Sequence, residues 1–328
     1  MADVLASREL EVAIPTPIEG WINSGNRELR VDVLEDTAKQ LLDGNRSTEV
    51  WPGSPELLFR FLLSDDLRVL DGLTFQHPET GVIEPVGRQV LAHSLRSALV
   101  AWEIASEAEP YLRPIRRHAY DRPAEYPNPS EVFDDTFAHD IFGKSQIGRH
   151  NPALLSEITL YRPKDKLAMY DHAQLGWAAL KRLNENTPDG SVAIPLSVMK
   201  VALYHHALHP REFTTDIDHQ IMTEQDQLDI AFIYGLMICA LADSFYGTHT
   251  RGYMNHPSKR AFKFPAQSGR WKDVELWAGR MVTLPNAVSH ESHEDYQQIT
   301  DSFYSLLHRE GTMTNQILQA DYTPSGAL

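Results

Sequence analysis

The sequence predicts a mainly α fold with a smaller N-terminal α+β region. From residue 89 onward, one segment after another carries apolar residues at helical spacing. Short strand-like stretches are confined to the first 88 residues. Histidines and aspartates recur on the helical segments, and imidazole nitrogens with carboxylate oxygens form a ligand set for a first-row transition metal. We therefore expect a helical bundle built around bound metal.

Length, charge and hydropathy restrict the class of protein. The chain has 328 residues and a net charge of -15, which disfavours a nucleic-acid polymer as partner because such proteins need a basic surface. A small phosphorylated ligand stays compatible, since bound metal cations supply local positive charge. The longest apolar stretch, 230–242, is too short to span a bilayer, and no apolar signal-peptide core follows the first residue. We expect a cytoplasmic protein with no membrane partner.

Residues 1–88 form the first predicted domain. Two stretches, LEVAI and LRVDV, have strand-like character, and a helix is predicted over Leu34–Leu42. A Ser-Pro start followed by apolar spacing predicts another helix within SPELLFRFLLSDDLRVLDG, and a Pro-Glu-Thr-Gly turn then indicates a loop or a hairpin. The sequence assigns this region no chemistry. Its two interpretations are a sensory domain and a dimerising domain that makes the protein a homodimer.

The second predicted domain, residues 89–310, is helical. Its first helix, Gln89–Glu107, has a broad apolar face, and the segment Pro110–Pro129, rich in proline and tyrosine, is predicted to be a loop. Residues 311–328 are predicted to be a C-terminal tail with a frayed end. Further helices are predicted over 130–142, 152–157, 165–184, 192–208, 224–247, 272–283 and 290–309.

The candidate metal ligands lie on these helices. At their centre is the doublet His139-Asp140, because the two oxygens of one carboxylate can each bind a different cation. Asp243 lies in an apolar stretch, where a buried carboxylate needs a cation or another strong partner. Six or seven such groups are too many for one ion and suit two. The candidate ligands are His93, His139, Asp140, His172, His205, His206 and Asp243.

The order of these motifs resembles the HD superfamily of metal-dependent phosphohydrolases. Within it, the pattern is similar to the HD-GYP branch, whose characterised members are cyclic di-GMP phosphodiesterases. The motifs are HDIFGK, which ends at Lys144, then RPKDKL, a lone histidine, a His-His pair and an Ala-Asp pair in the last matching helix. His93, in HSLRSALVAWEIA, corresponds to the opening histidine helix of the family. The resemblance covers residues 89–255.

This resemblance implies a site and a reaction. Asp140 is shared by the two implied ligand sets, which are completed by His93, His139 and Asp243 for one ion and by His172, His205 and His206 for the other. The ions are expected to be two divalent transition metals, with iron or manganese favoured and zinc, nickel or cobalt also suited. Asp140 and Lys144 are the candidate catalytic residues, and Lys144 and Arg251 are the candidate substrate-binding residues. The implied reaction is hydrolysis of a cyclic dinucleotide such as cyclic di-GMP, or of another small phosphoester, by a hydroxide that bridges the metals.

The chain departs from the family pattern at several points, and the loss of the Gly-Tyr-Pro motif keeps other functions open. The Gly-Tyr-Pro motif expected after the His-His pair is replaced by REFTTDIDHQ, and the doublet motif carries the extra residue Phe142. Gln89 stands where some relatives have an acidic ligand for a third metal, so we expect two metals. One alternative function is a mixed-valent di-iron oxygenase of the same superfamily acting on a small substrate. The other is a catalytically silent sensor that binds a nucleotide.

Overall fold

A computed structural model of the chain describes residues 28–44, 51–120, 128–156, 163–186 and 192–205, together with 232, 235, 236, 238–240, 242 and 243. In this described part, 76% of the residues are helical and the only sheet has two strands. The expected mainly α fold is confirmed. The elements are, in chain order, α1 (Val31–Leu42), α2 (Pro55–Leu62), α3 (Asp65–Gly72), β1 (Phe75–Gln76), β2 (Ile83–Glu84), α4 (Val86–Tyr120), α5 (Pro129–His150), a 3-10 turn (Pro152–Leu155), α6 (Pro163–Glu185) and α7 (Leu196–Tyr204).

Helix α1 begins earlier than the sequence suggests. A strand is predicted at LRVDV, whereas the helix already starts at Val31. The buried residues of α1 recur at three- or four-residue spacing and form one apolar stripe. The strand prediction at LRVDV is wrong because apolar and polar residues alternate over only five residues there, whereas the helical spacing of buried residues continues through all 12 residues of α1. The other predicted strand, LEVAI, lies outside the described residues.

Two serine caps divide the helix predicted after Ser54 into α2 and α3. The hydroxyl of Ser54 accepts a hydrogen bond from the backbone N–H of Leu57 at 3.2 Å, and that of Ser64 accepts one from the N–H of Asp66 at 3.1 Å. Such a cap stabilises a helix start by about 1 kcal/mol. The chain therefore turns at Ser64. The segment after α3, predicted to be either a loop or a hairpin, is a hairpin with β1 and β2 paired antiparallel.

Helix α4 is longer than expected. Its backbone is helical from Val86 to Tyr120, so the loop predicted over Pro110–Pro129 is wrong up to residue 120, and residues 121–127 lie outside the described part. A proline inside a helix removes one hydrogen bond and costs about 3 kcal/mol, which disfavours the helix without forbidding it. The backbone of this 35-residue helix nevertheless continues through Pro110 and Pro114.

Helix α5 is the centre of the fold. It packs against α3, α4, α6 and α7, and nearly all of its residues from Val132 to Gly148 are buried. The helix predicted over 130–142 in fact continues to His150. Gly143 and Gly148 lie inside it, each in close contact with a neighbouring element, so they serve packing and do not end the helix.

One apolar core extends across residue 88, the predicted domain boundary. Buried residues of α1, α2 and α3 belong to the same cluster as those of α4, α5, α6 and α7. Trp51 packs edge to face on Phe133 and Phe137 of α5, with ring centroids 4.7 and 5.3 Å apart. This core holds α5 from several sides, and with it the doublet His139-Asp140. No described helix combines the length and hydropathy needed to cross a membrane.

The later helices lie where helices were predicted, but their bounds differ from the predicted ones. Helix α6 matches the helix predicted over 165–184, and α7 starts at Leu196, within the helix predicted over 192–208. The predicted helix 152–157 is the 3-10 turn. The described residues between 232 and 243 are helical, in line with the helix predicted over 224–247. The helices predicted over 272–283 and 290–309 lie outside the described part.

Candidate metal centre

Six of the seven candidate ligands lie together where α4, α5, α6 and the end of α7 meet. Their donor atoms form two groups that can each hold a metal ion. The seventh candidate, His206, lies outside the described residues, as does Arg251. The six are His93 on α4, His139 and Asp140 on α5, His172 on α6, His205 directly after α7, and Asp243 among the described helical residues between 232 and 243.

Site 1 consists of His93, His139, Asp140 and Asp243. Nε2 of His93 lies 2.8 Å from Oδ1 of Asp243 and 3.4 Å from Oδ2 of Asp140. Nε2 of His139 lies 3.4 Å from the same Oδ2 and 3.7 Å from the same Oδ1. Two imidazole nitrogens and two carboxylate oxygens thus surround one small volume.

Site 2 consists of Asp140, His172 and His205. Nε2 of His172 lies 3.0 Å from Oδ1 of Asp140 and 3.0 Å from Nε2 of His205. Nε2 of His205 lies 3.6 Å from the same Oδ1. The two oxygens of Asp140 therefore face different sites, Oδ2 facing site 1 and Oδ1 facing site 2.

The separations of the donor atoms fit metal coordination. Donors bound to one ion at about 2.0–2.2 Å lie about 2.8–3.6 Å from one another in octahedral or tetrahedral geometry. The separations given above run from 2.8 to 3.7 Å, and all donor atoms of each set lie within 4.8 Å of one another. An ion within either set therefore requires only small shifts of the side chains.

Backbone carbonyls orient two of the histidines. Nδ1–H of His139 donates to the carbonyl of Thr136, and Nδ1–H of His205 donates to the carbonyl of Ala202 at 2.9 Å. Because a carbonyl only accepts, Nδ1 carries the hydrogen in both rings, so in the neutral form of each ring Nε2 would present its lone pair to the site. Nε2 of His139 is buried and has no hydrogen-bond partner among the described residues. Such a lone pair can bind a metal cation.

The two aspartates are ionised despite their burial. Burial opposes ionisation of Asp140, yet the ammonium of Lys144 and the surrounding imidazoles hold the pKa of its carboxyl well below the usual value. Partial burial likewise opposes ionisation of Asp243, whose side chain is 26% exposed. The neighbouring imidazoles of His139, 3.7 Å away, and of His93, hydrogen-bonded at 2.8 Å, lower the pKa of this carboxyl. The site therefore carries two carboxylate charges, one of which already pairs with Lys144, and a cation held between them would be attracted by both.

Lys144 lies beside the shared carboxylate. Its ammonium pairs with Oδ2 of Asp140, because residues four apart lie on the same face of a helix. The extra residue Phe142 points away from that face and packs on Phe61, with ring centroids 5.4 Å apart. The role of Lys144 as a phosphate ligand remains a prediction.

Sequence reasoning missed two further buried carboxylates on α5. Asp134 accepts a hydrogen bond from the backbone N–H of Ser54 at 2.9 Å, and Asp135 hydrogen-bonds Ser197. Burial raises the pKa of both carboxyl groups to about 8. The signal was present in the sequence, since two acidic residues on an apolar helix are the same cue that singled out Asp243.

Comparison with known proteins adds no relative. No model of a protein family matches the chain, no curated protein matches it, and no solved structure matches it. The resemblance to the HD superfamily thus remains a prediction from motifs. The function has to be argued from the geometry of this chain.

Replacing the shared carboxylate tests both sites at once. We expect Asp140→Asn to reduce bound Mn²⁺ at both sites, because the amide has one oxygen and no charge. The affinity for Mn²⁺ should fall by more than about 10–100-fold, which is the loss expected when only a group that supports a metal ligand is removed. Asp135→Asn, on the same helix, is the matched control and should keep its metal. Equal Mn²⁺ titration curves for Asp140→Asn and the wild type would contradict the ligand assignment.

Asp135→Asn should also flatten the pH dependence of stability in the metal-free protein. Because the pKa of Asp135 is raised to about 8, the folded state keeps a proton that the unfolded state releases above about pH 4. The free energy of unfolding therefore falls as the pH rises from about 4 to about 8. Asparagine cannot ionise, so this fall becomes shallower. Urea denaturation with chelator from pH 5 to pH 9 measures it, with exposed Asp65→Asn as control; an unchanged slope would show that Asp135 is ionised when folded.

Proposed function

We propose that the protein is a binuclear metal-dependent phosphohydrolase that acts on a small phosphodiester. The observation that carries this proposal is the placement of Asp140, whose Oδ1 and Oδ2 belong to different donor sets. A carboxylate in this position would be able to bridge two ions, and each set would supply at least two further ligands of its own. A single-ion site has no use for both oxygens facing separate pairs of histidines.

The residues hold the ions, and the ions supply the reactivity. Two ions about 3.5–4 Å apart activate water near neutral pH and stabilise the attacking and leaving oxygens of a phosphoryl displacement. Asp140 would hold the two ions together, and His139 and His205 would coordinate through Nε2, since their Nδ1 atoms donate to backbone carbonyls. Iron and manganese are the proposed metals, because hard oxygen and borderline nitrogen donors are mixed in both sets.

The charges around site 1 favour an anionic substrate. The side chains of His93, Lys144 and Asp243 remain 13%, 14% and 26% exposed, whereas those of His172 and His205 are at most 4% exposed. A substrate therefore approaches from the side of site 1. There the ammonium of Lys144 lies within reach of a phosphate oxygen, as a point charge beside the metals.

The net charge limits the size of the substrate. A chain with a net charge of -15 repels a long polyanion, while a compact phosphodiester meets the local positive charge of the ions and Lys144. A cyclic dinucleotide is the proposed substrate class, in keeping with the motif resemblance.

A hydrolysis screen tests the proposal. Protein loaded with Mn²⁺ or Fe²⁺ under reducing conditions is expected to hydrolyse bis(p-nitrophenyl) phosphate and to linearise cyclic di-GMP or a related cyclic dinucleotide, and Asp140→Asn should lose both activities. A coloured iron protein whose spectrum changes with oxygen and that hydrolyses no phosphoester would replace this function with the oxygenase. Nucleotide binding without turnover would replace it with the sensor.

Lys144→Met separates substrate binding from metal binding. We expect kcat/KM for the phosphodiester to fall by about 100-fold, as for the loss of one group that stabilises transition-state charge. Metal content should not fall, because the variant removes a cation that competes for Oδ2 of Asp140. Lys181→Met, at a lysine 61% exposed on α6, is the matched control and should retain activity. Undiminished kcat/KM in Lys144→Met would refute the phosphate-binding role.

A further inference from the structure

We propose that Gly143 is a positioning residue for site 2. Its lack of a side chain allows α6 to approach α5 closely enough for His172 to reach Asp140. This inference rests on the proposed two-metal function. It gives a role to Gly143, to which the sequence motifs assign none. Gly143 touches neither metal nor substrate, and it acts through the backbone of His172.

The contact at Gly143 is between two backbones. A Cβ atom added there would lie 2.7 Å from the carbonyl carbon of His172 and 3.1 Å from its Cα, and closer still to its carbonyl oxygen. Real Cβ atoms essentially never approach a neighbour within 3.0 Å. Backbone atoms of a helix cannot rotate away as the end of a side chain can, so only a shift of α6 would relieve the clash.

Gly176 forms the other half of the same crossing. A Cβ there would lie 3.3 Å from the backbone nitrogen of Gly143. Gly176 follows His172 by four residues and Gly143 follows Asp140 by three, so each glycine shares a helix face with a ligand. The glycine crossing and the 3.0 Å contact between Asp140 and His172 therefore belong to one interface.

The size of this clash determines how strongly alanine at position 143 would weaken metal binding. Ordinary van der Waals contact begins at 3.4 Å, so alanine at position 143 would displace α6 by at least about 0.7 Å, whereas metal–ligand distances tolerate about 0.2 Å. Site 1 takes no ligand from α6. The damage should therefore fall on site 2 and spare site 1.

Calorimetric Mn²⁺ titrations of single-site backgrounds measure this selectivity. His93→Ala/Asp243→Ala keeps the site 2 ligands, and His172→Ala/His205→Ala keeps those of site 1. Adding Gly143→Ala should weaken Mn²⁺ binding about 10–100-fold in the first background and leave it unchanged in the second. The matched control is Gly148→Ala, where an added Cβ meets the flexible side-chain ends of Leu155, at 2.7 Å, and Leu73. It should change Mn²⁺ affinity in neither background.

The outcomes separate this inference from the proposed function. If Gly143→Ala does not fold, Gly176→Ala gives the decisive measurement, with a smaller loss expected in the site 2 background because its neighbour needs to move less. Site 2 affinity equal to that of Gly148→Ala would overturn the positioning role and leave the proposed function intact. Equal losses at both sites would also overturn it, since they indicate general unfolding. Absence of Mn²⁺ binding in the wild type would instead refute the proposed function.

Discussion

The charge on Asp140, a residue only 2% exposed, is the constraint that determines how the helices are arranged. An uncompensated charge in a protein interior costs several kcal/mol, so its partners have to come from whatever surrounds it. They come from four places: His93 on α4, His172 on α6, His205 after α7, and Lys144 on α5 itself. The ionisation of Asp140 and the convergence of the helices therefore depend on each other.

The helices themselves supply much of what a metal ligand needs beyond its donor atom. A carbonyl oxygen has two lone pairs, so the carbonyl of Thr136 can serve the helix ladder and also accept from His139. The same relation joins Ala202 to His205. Both rings are held in the tautomer that exposes Nε2 without a further side chain. A histidine in a helix thus gains its orientation locally, and only its direction toward a shared centre depends on tertiary packing.

Local pattern and long-range packing explain what the sequence could and could not predict. Helical periodicity predicted the fold class and most helices, and an imidazole or carboxylate on an apolar helix predicted the six ligands that the structure places together. Apolar periodicity could not predict that Ser64 divides a helix or that α4 continues past Pro110. It registers neither the capping bond at Ser64 nor how far a helix continues through a proline. The role of Gly143 was equally hidden, since its close neighbour, His172, is 29 residues away in the sequence.

Burial does not determine which acidic residue of α5 binds a cation. Asp135 and Asp140 are both buried, 6% and 2% exposed, five residues apart on one helix, yet their pKa values move in opposite directions. Burial dominates at Asp135, whose hydrogen bond to Ser197 is too weak to offset it, so the pKa rises to about 8. At Asp140, Lys144 and three imidazoles reverse the effect of burial and keep the carboxyl ionised. A cation gains most from the oxygen that is already charged and already surrounded by nitrogen donors, and on this helix only Asp140 meets both conditions.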